Sequence, residues 1–95
     1  MATIKWHPRA VADLDRLREF LFANNPIAAT RAVRVIIQGV TLLEKAPNLG
    51  RPMADGSKRR ELFMSFGMGS YVLRYFTKEN CVIIVRVWHS REDRT

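Results

Sequence analysis

An α+β two-layer sandwich, an αα-hairpin packed on a mainly antiparallel four-stranded sheet in the order β-α-α-β-β-β, is predicted by three observations. Apolar residues recur at intervals of three and four over residues 9–46. They alternate with a period of two over residues 61–88. The change of period falls in one segment dense in turn formers, Pro47-Asn48-Leu49-Gly50-Arg51-Pro52-Met53-Ala54-Asp55-Gly56. The chain has 95 residues, enough for one domain (1–95), and its 47% hydrophobic and 26% charged side chains are those of a globular chain.

Thr3-Ile4-Lys5-Trp6 alternates polar and apolar residues and stops at His7-Pro8, where proline favours extended geometry in the residue before it; this predicts a short first strand. Val11, Leu14, Leu17, Leu21 and Phe22 line one face of a first helix beginning at Arg9 and ended by Asn24-Asn25-Pro26. Asn25 suits an N-cap and Pro26 the first helical position, so a second helix follows at once, with the stripe Ala29, Ala32, Ile36, Val40 and Leu43. So short a link makes the helices antiparallel, and Ala28, Ala29, Ala32 and Gly39 allow close packing. Leu62, Met64 and Phe66 then alternate with Glu61, Phe63 and Ser65 as far as the Gly67-Met68-Gly69 turn. Residues 71–76 and 81–88 are rich in β-branched and aromatic side chains and form a hairpin around Thr77-Lys78-Glu79-Asn80.

Centred on Glu79, that hairpin sets Tyr75 opposite Ile83, Leu73 opposite Val85 and Tyr71 opposite Val87, an apolar face for the helices to cover. The other face carries Val72, Arg74, Phe76, Val82, Ile84, Arg86 and Trp88, with Arg74 diagonal to Arg86 at about 7–8 Å. Arginine and tryptophan among aliphatics is the composition of protein interfaces. Arg74, Arg86, Trp88, Val72, Phe76 and Ile84 are therefore the candidate surface for an acidic partner segment. The alternative is that the helices cover part of both faces and the arginines snorkel to water.

Charge supports such a partner. The net charge is +7, with twelve Arg and four Lys spread over both halves of the chain, which favours polyanions or an acidic protein as well as solubility. The single cysteine, Cys81, excludes an internal disulfide and a Cys-rich zinc site, fits a reducing cytoplasm, and reads as a structural thiol. The N-terminus lacks a signal-type apolar region and no apolar run approaches about 18 residues, so a cytoplasmic location without membrane contact is expected. There is no GxxxxGK[ST] or GxGxxG loop, and two distant histidines make no metal site; no cofactor or metal is expected.

Three groups of polar residues remain. Asp13, Asp15 and Glu19 share the first helix with Arg9, Arg16 and Arg18 at spacings that suit exposed ion pairs. Lys58-Arg59-Arg60 is the densest basic cluster, a contact for phosphate or acidic side chains, or else the solvated start of a strand. Val87-Trp88-His89-Ser90-Arg91-Glu92-Asp93-Arg94 places a histidine beside arginines and carboxylates at a strand end, where His89 could exchange a proton and arginine could stabilise a charged transition state. A histidine simply held by a neighbouring carboxylate or carbonyl is the alternative.

Pro8-x-Ala10-x-x-Asp13-Leu14, Pro26-x-Ala28-Ala29-x-Arg31, Leu42-Leu43, Pro47-x-Leu49-Gly50-Arg51-Pro52, Arg60-Glu61-Leu62, Tyr71-Val72-Leu73-Arg74-Tyr75 and the run from Val87 to Asp93 cover nearly the whole chain. In this order they resemble the ParE branch of the RelE/ParE toxin superfamily. The resemblance implies a small cytoplasmic toxin of a type II toxin–antitoxin, or plasmid-stabilisation, module, held in a hetero-oligomer by a ParD-like antitoxin whose C-terminal segment wraps it. ParE-type toxins poison DNA gyrase and block replication, whereas RelE-type relatives cleave mRNA on the ribosome; one fold hosts both. The RNA-cleaving relatives carry an arginine directly after the tyrosine of the third strand and a further aromatic near the C-terminus. Here Val72 follows Tyr71 and no aromatic follows Trp88, so gyrase poisoning is the expectation. A ribonuclease would rely on His89, Arg74 and Arg91, while Lys58, Arg59, Arg60 and Arg91 are candidates for target or polyanion contact. The third alternative, a non-toxic basic nucleic-acid-binding module, lacks a helix-turn-helix or similar reader.

Overall fold

His7 and Asn25 each end one element and start the next. The computed structural model describes residues 1–92, and its elements are β1 (Thr3–Trp6), α1 (Pro8–Asn24), α2 (Pro26–Lys45), β2 (Arg51–Pro52), β3 (Arg60–Phe66), β4 (Gly69–Lys78) and β5 (Cys81–His89). Both helices open with proline at the first turn, where its missing N–H costs nothing. His7 Nδ1 accepts from the Arg9 N–H at 3.1 Å, and Asn25 Oδ1 from the Ala28 N–H at 3.1 Å. Asn25 alone separates the helices.

The strand order is β1-β5-β4-β3-β2, with β1 parallel to β5 and every other pair antiparallel. The expected architecture holds, with a fifth strand. β2, inside the segment read as irregular, pairs Arg51 with Glu61 and Pro52 with Arg60, and two residues are too few to show a period. Leu17, Ala32, Ile36 and Leu43 of the helices close on Tyr71, Leu73, Tyr75, Val82, Ile84 and Val87 of the sheet. A side chain at Gly39 would collide with Met64 Sδ, so glycine lets α2 approach β3.

Three expectations are corrected. The buried face of α1 is Ala10, Asp13 and Leu17, while Val11 and Phe22 lie exposed, because the first half of this helix packs along the edge of β5, where small and polar side chains can meet backbone. α2 does reach membrane-spanning length and hydropathy, contrary to the apolar-run reading, but its apolar stripe Ala29, Ala32, Ile36, Gly39 and Leu43 is buried inside the fold. The register of the last hairpin also differs. Glu79 and Asn80, with φ of 50° and 62°, form a two-residue turn, so Lys78 faces Cys81 and Tyr75 faces Ile84. A bulge then shifts the ladder, so that Arg74 faces Arg86, Leu73 faces Val87, Val72 faces Trp88 and Tyr71 faces His89. Val82 and Ile84 consequently turn toward the helices and are fully buried; Ile84 is core, not partner-binding surface.

Candidate functional site

Arg74 and Arg86 face each other directly across β4 and β5, yet each is already satisfied within the chain. Arg74 donates from Nε and an Nη to Glu61 Oε2 at 3.0 and 2.8 Å, and its guanidinium lies 4.8 Å from the centre of the Trp88 ring. Trp88 is 7% exposed and Val72 1%, so the open apolar surface expected here does not exist. Of the six residues proposed for it, only Arg74, Phe76 and Arg86 keep partial exposure.

Arg86 reaches around the sheet edge. β1 pairs with β5 as far as Ile84, and the His7 N–H closes on the Ile84 carbonyl at 2.8 Å. Past that point the Val87 N–H is met by Asp13 Oδ2 at 2.9 Å. The same carboxylate accepts from Arg86 Nε at 2.8 Å, from an Arg86 Nη at 3.1 Å and from Arg16 at 3.2 Å. Asp13, expected in an exposed pair, is 5% exposed. Burial alone would raise its pKa, but the bonds from Arg86, Val87 and Arg16 together hold the carboxyl below the usual carboxylate range. Asp13 in turn pushes the Arg86 pKa up. Arg16 also pairs with Glu92, whose Oε1 accepts from the His89 N–H at 3.0 Å, so the network reaches the C-terminal turn. Asp15 and Arg18 do form the expected exposed pair.

That turn borders a groove of about 580 Å³ between α1, the β3–β4 turn and the end of β5, with Phe20 and Met68 exposed at its mouth and Arg91 on its rim. His89 stands edge-on to Tyr71, centroids 4.9 Å apart. Its Nδ1 accepts from the Arg91 N–H at 3.2 Å, which leaves the ring proton on Nε2 to be donated to the Phe66 carbonyl at 3.0 Å. A side chain at Gly69 would lie 2.9 Å from His89 Cε1 and 2.5 Å from Ser90 Oγ, so glycine admits this packing. His89 pairs with Tyr71 on the helix side of the sheet, whereas Arg74 and Glu61 lie on the opposite face. The structure therefore brings His89 and Arg91 together and keeps Arg74 away from both. Asp93 and Arg94 lie outside the described residues.

Lys58 and Arg59 are exposed, Lys58 with φ of 64°. Arg60 is anchored instead. It donates to the Asn48 and Gly50 carbonyls at 3.2 and 2.8 Å, and so is no open contact for a polyanion. Tyr75 fixes the same loop, donating to the Pro47 carbonyl at 2.7 Å and accepting from the Gly50 N–H at 2.8 Å, and burial pushes its phenol pKa up. Arg51 covers Phe63 at 4.8 Å. Sequence reasoning missed Asp13, Glu61, Arg51 and Phe63, whose partners lie on other elements. Among the described residues no three His, Cys, Asp or Glu side chains gather as a metal site would require.

A family model described as the ParE toxin of the type II toxin–antitoxin system parDE matches residues 4–94. Toxin RelE3 of Caulobacter vibrioides is 38% identical over 94 residues, spanning 99% of this chain and 100% of that one. Toxin RelE1 of the same organism is 35% identical over 86 residues, 90% of each chain. A solved chain from the chromosomal ParDE TA system of P. aeruginosa superposes with a TM-score of 0.75 at 26% identity, over 94% of this chain and 96% of that one. The conserved hypothetical protein HP0894 of Helicobacter pylori, at 16% identity and a TM-score of 0.53 over 97% and 98% of the two chains, shares the fold. On a family match across nearly its whole described length, and on relatives of the same size, this chain belongs to the ParE toxin family of type II toxin–antitoxin systems.

Proposed function

We propose that this toxin acts in the cytoplasm by the ParE route, poisoning DNA gyrase and so blocking replication until its cognate antitoxin neutralises it. One observation carries the reading against a ribonuclease: of the three residues such an enzyme would use, Arg74 lies on the opposite face of the sheet from His89 and Arg91, and His89 is already engaged. RNA cleavage requires a proton acceptor and a cation at the same phosphate. His89 has both ring nitrogens engaged by main-chain groups, and Arg74, across the sheet, is bound by Glu61 and stacked on Trp88. The ParE family match and the likeness to a ParDE chain support the same route.

A second reading, ribosome-dependent mRNA cleavage, is favoured by the RelE names of the Caulobacter relatives and by the placement of Arg91 beside His89 in the groove. Purified gyrase with supercoiled plasmid separates the two. Gyrase poisoning yields linear DNA trapped on gyrase, equally with wild type and His89→Gln. Ribosome-dependent cuts in mRNA that disappear in His89→Gln or Arg91→Ala, without trapped DNA, overturn the gyrase reading.

A further inference from the structure

Tyr71 and Tyr75 are both buried in the core, but only the Tyr75 hydroxyl is engaged by the protein. Among the described residues the Tyr71 hydroxyl has no hydrogen-bond partner, and burial alone pushes its pKa up, so it stays protonated near neutral pH. A hydroxyl sealed in an apolar core without a partner is costly, and among the described residues no sealed side-chain nitrogen or oxygen lacks one. The Tyr71 hydroxyl therefore keeps access to solvent. Tyr71 lines the groove of about 580 Å³ between α1, the Gly67-Met68 turn and the end of β5, and a side chain only 2% exposed meets water there.

The floor of the groove is aromatic. Phe66 lies 5.2 Å from Tyr71, and His89 stands edge-on to both rings at 6.4 and 4.9 Å, while Phe20 is 65% exposed at the mouth. A planar ring entering here finds both ring faces and ring edges. Few polar groups are left open to it. His89 spends both ring nitrogens on main-chain groups, and Glu92, the one carboxylate on the wall, is taken by Arg16 and the His89 N–H. Arg91, on the rim, has no carboxylate partner among the described residues. The groove therefore offers one cation outside and one hydroxyl donor inside, within the volume of about 300–1,000 Å³ usual for a small-molecule site. We propose that it binds a small hydroxyaryl carboxylate. The ring lies on Phe66 and Tyr71, the carboxylate faces Arg91, and the ring oxygen accepts from the Tyr71 hydroxyl. This site is independent of whether the toxin acts on gyrase or on mRNA.

The experiment is an NMR titration of the whole toxin with three probes: 6-hydroxy-2-naphthoate, 2-naphthoate, which lacks the hydroxyl, and 2-naphthol, which lacks the carboxylate. The first shifts the amides of Phe66, Gly67, Met68, Tyr71 and His89 and binds about fivefold tighter than either of the others. Tyr71→Phe weakens the hydroxynaphthoate to the level of 2-naphthoate, leaves 2-naphthoate unchanged, and leaves the urea midpoint unchanged because no bond within the protein is lost. Arg91→Gln weakens both carboxylates about fivefold and leaves 2-naphthol unchanged. Groove amides that stay silent at millimolar hydroxynaphthoate overturn the proposal, as do shifts centred elsewhere on the surface. Equal affinity of the three probes for the wild type overturns the assigned chemistry, whether or not either variant folds. A Tyr71→Phe protein as destabilised as Tyr75→Phe places the hydroxyl in the service of the fold and also overturns it. A free toxin that is dimeric through this groove, and unresponsive to all three probes, gives the site to a second copy instead.

Discussion

The short outer strands β1 and β2 each stop before the end of the strand they cover, and the protein treats the two uncovered stretches differently. On β5 the first half is covered by β1, and where β1 stops a carboxylate from α1 takes over, Asp13 accepting from the Val87 N–H and holding Arg86. On β3 the start is covered by β2, and past Glu61 no further strand is paired. The part of β5 that β1 does not reach is met by a multiply bonded ion pair, whereas the part of β3 that β2 does not reach pairs with no further strand among the described residues. The arginines divide along the same line. Arg16, Arg74 and Arg86 are tied to carboxylates and hold the fold, while Arg51, Arg59 and Arg91 lie toward the uncovered stretch of β3 with no such partner among the described residues.

The closed edge breaks most easily at Asp13. Asp13→Ala leaves the Val87 N–H and Arg86 without their acceptor, which for a buried pair costs about 3–5 kcal/mol. Because the Arg86 side chain is 31% exposed and can turn to water, about 2–4 kcal/mol is expected, read as a lower urea midpoint. Acid probes the same contact. Asp13 has a lower pKa folded than unfolded, so its contribution is complete above the unfolded value and is lost as pH falls through the folded one. Asp13→Asn should flatten the acid limb of the urea midpoint plotted against pH; an unaltered limb would show that the ionised carboxylate does not hold this edge.

Much of this was legible from local chemistry, and the failures share a cause. Asn25-Pro26 fixed the second helix start, and the change of period located the sheet, because caps and periodicity act over a few residues. The facing of Ile84 was not legible, since it depends on a turn centred between Glu79 and Asn80 and on a bulge past Tyr75, each of which moves a partner by a fraction of the alternation. Asp13 sits among helix charges that look alike in sequence; only the point where β1 ends distinguishes it from Asp15. Arg74 and Trp88 were placed on the correct face but read as open, because Glu61, which binds Arg74, lies on another strand.

The β3 side has its own anchor, and weakening it sharpens the contrast. Tyr75 and Arg60 hold the 47–50 loop that leads into β2. Tyr75→Phe deletes two hydrogen bonds, at a cost of about 1–3 kcal/mol, less than Asp13→Ala. Loosening this loop should also speed amide exchange at Arg60 and Glu61, where β2 pairs, while Val87 stays protected. Equal loosening of both edges would mean that they are not independent.

The smallest effect on the fold should accompany a selective effect on binding. Arg51→Glu and Arg59→Glu alter side chains without carboxylate partners among the described residues, though the new Glu at 51 faces Glu61, so stability read from the urea midpoint should fall by about 1 kcal/mol, less than for Tyr75→Phe or Asp13→Ala at their upper ranges. Arg51 does lose its stacking on Phe63, but both ends of that contact are exposed. Antitoxin association should slow, by roughly fivefold for the double variant at low salt, and the difference should shrink as ionic strength rises, since rim charges act mainly on the encounter rate. Arg18→Glu is the matched control: it reverses an exposed arginine of α1, paired with Asp15 and remote from β3, and it changes net charge by the same amount per site. If Arg18→Glu slows association as much per charge as Arg51→Glu does, the antitoxin responds to the whole +7 field rather than to the cations beside β3.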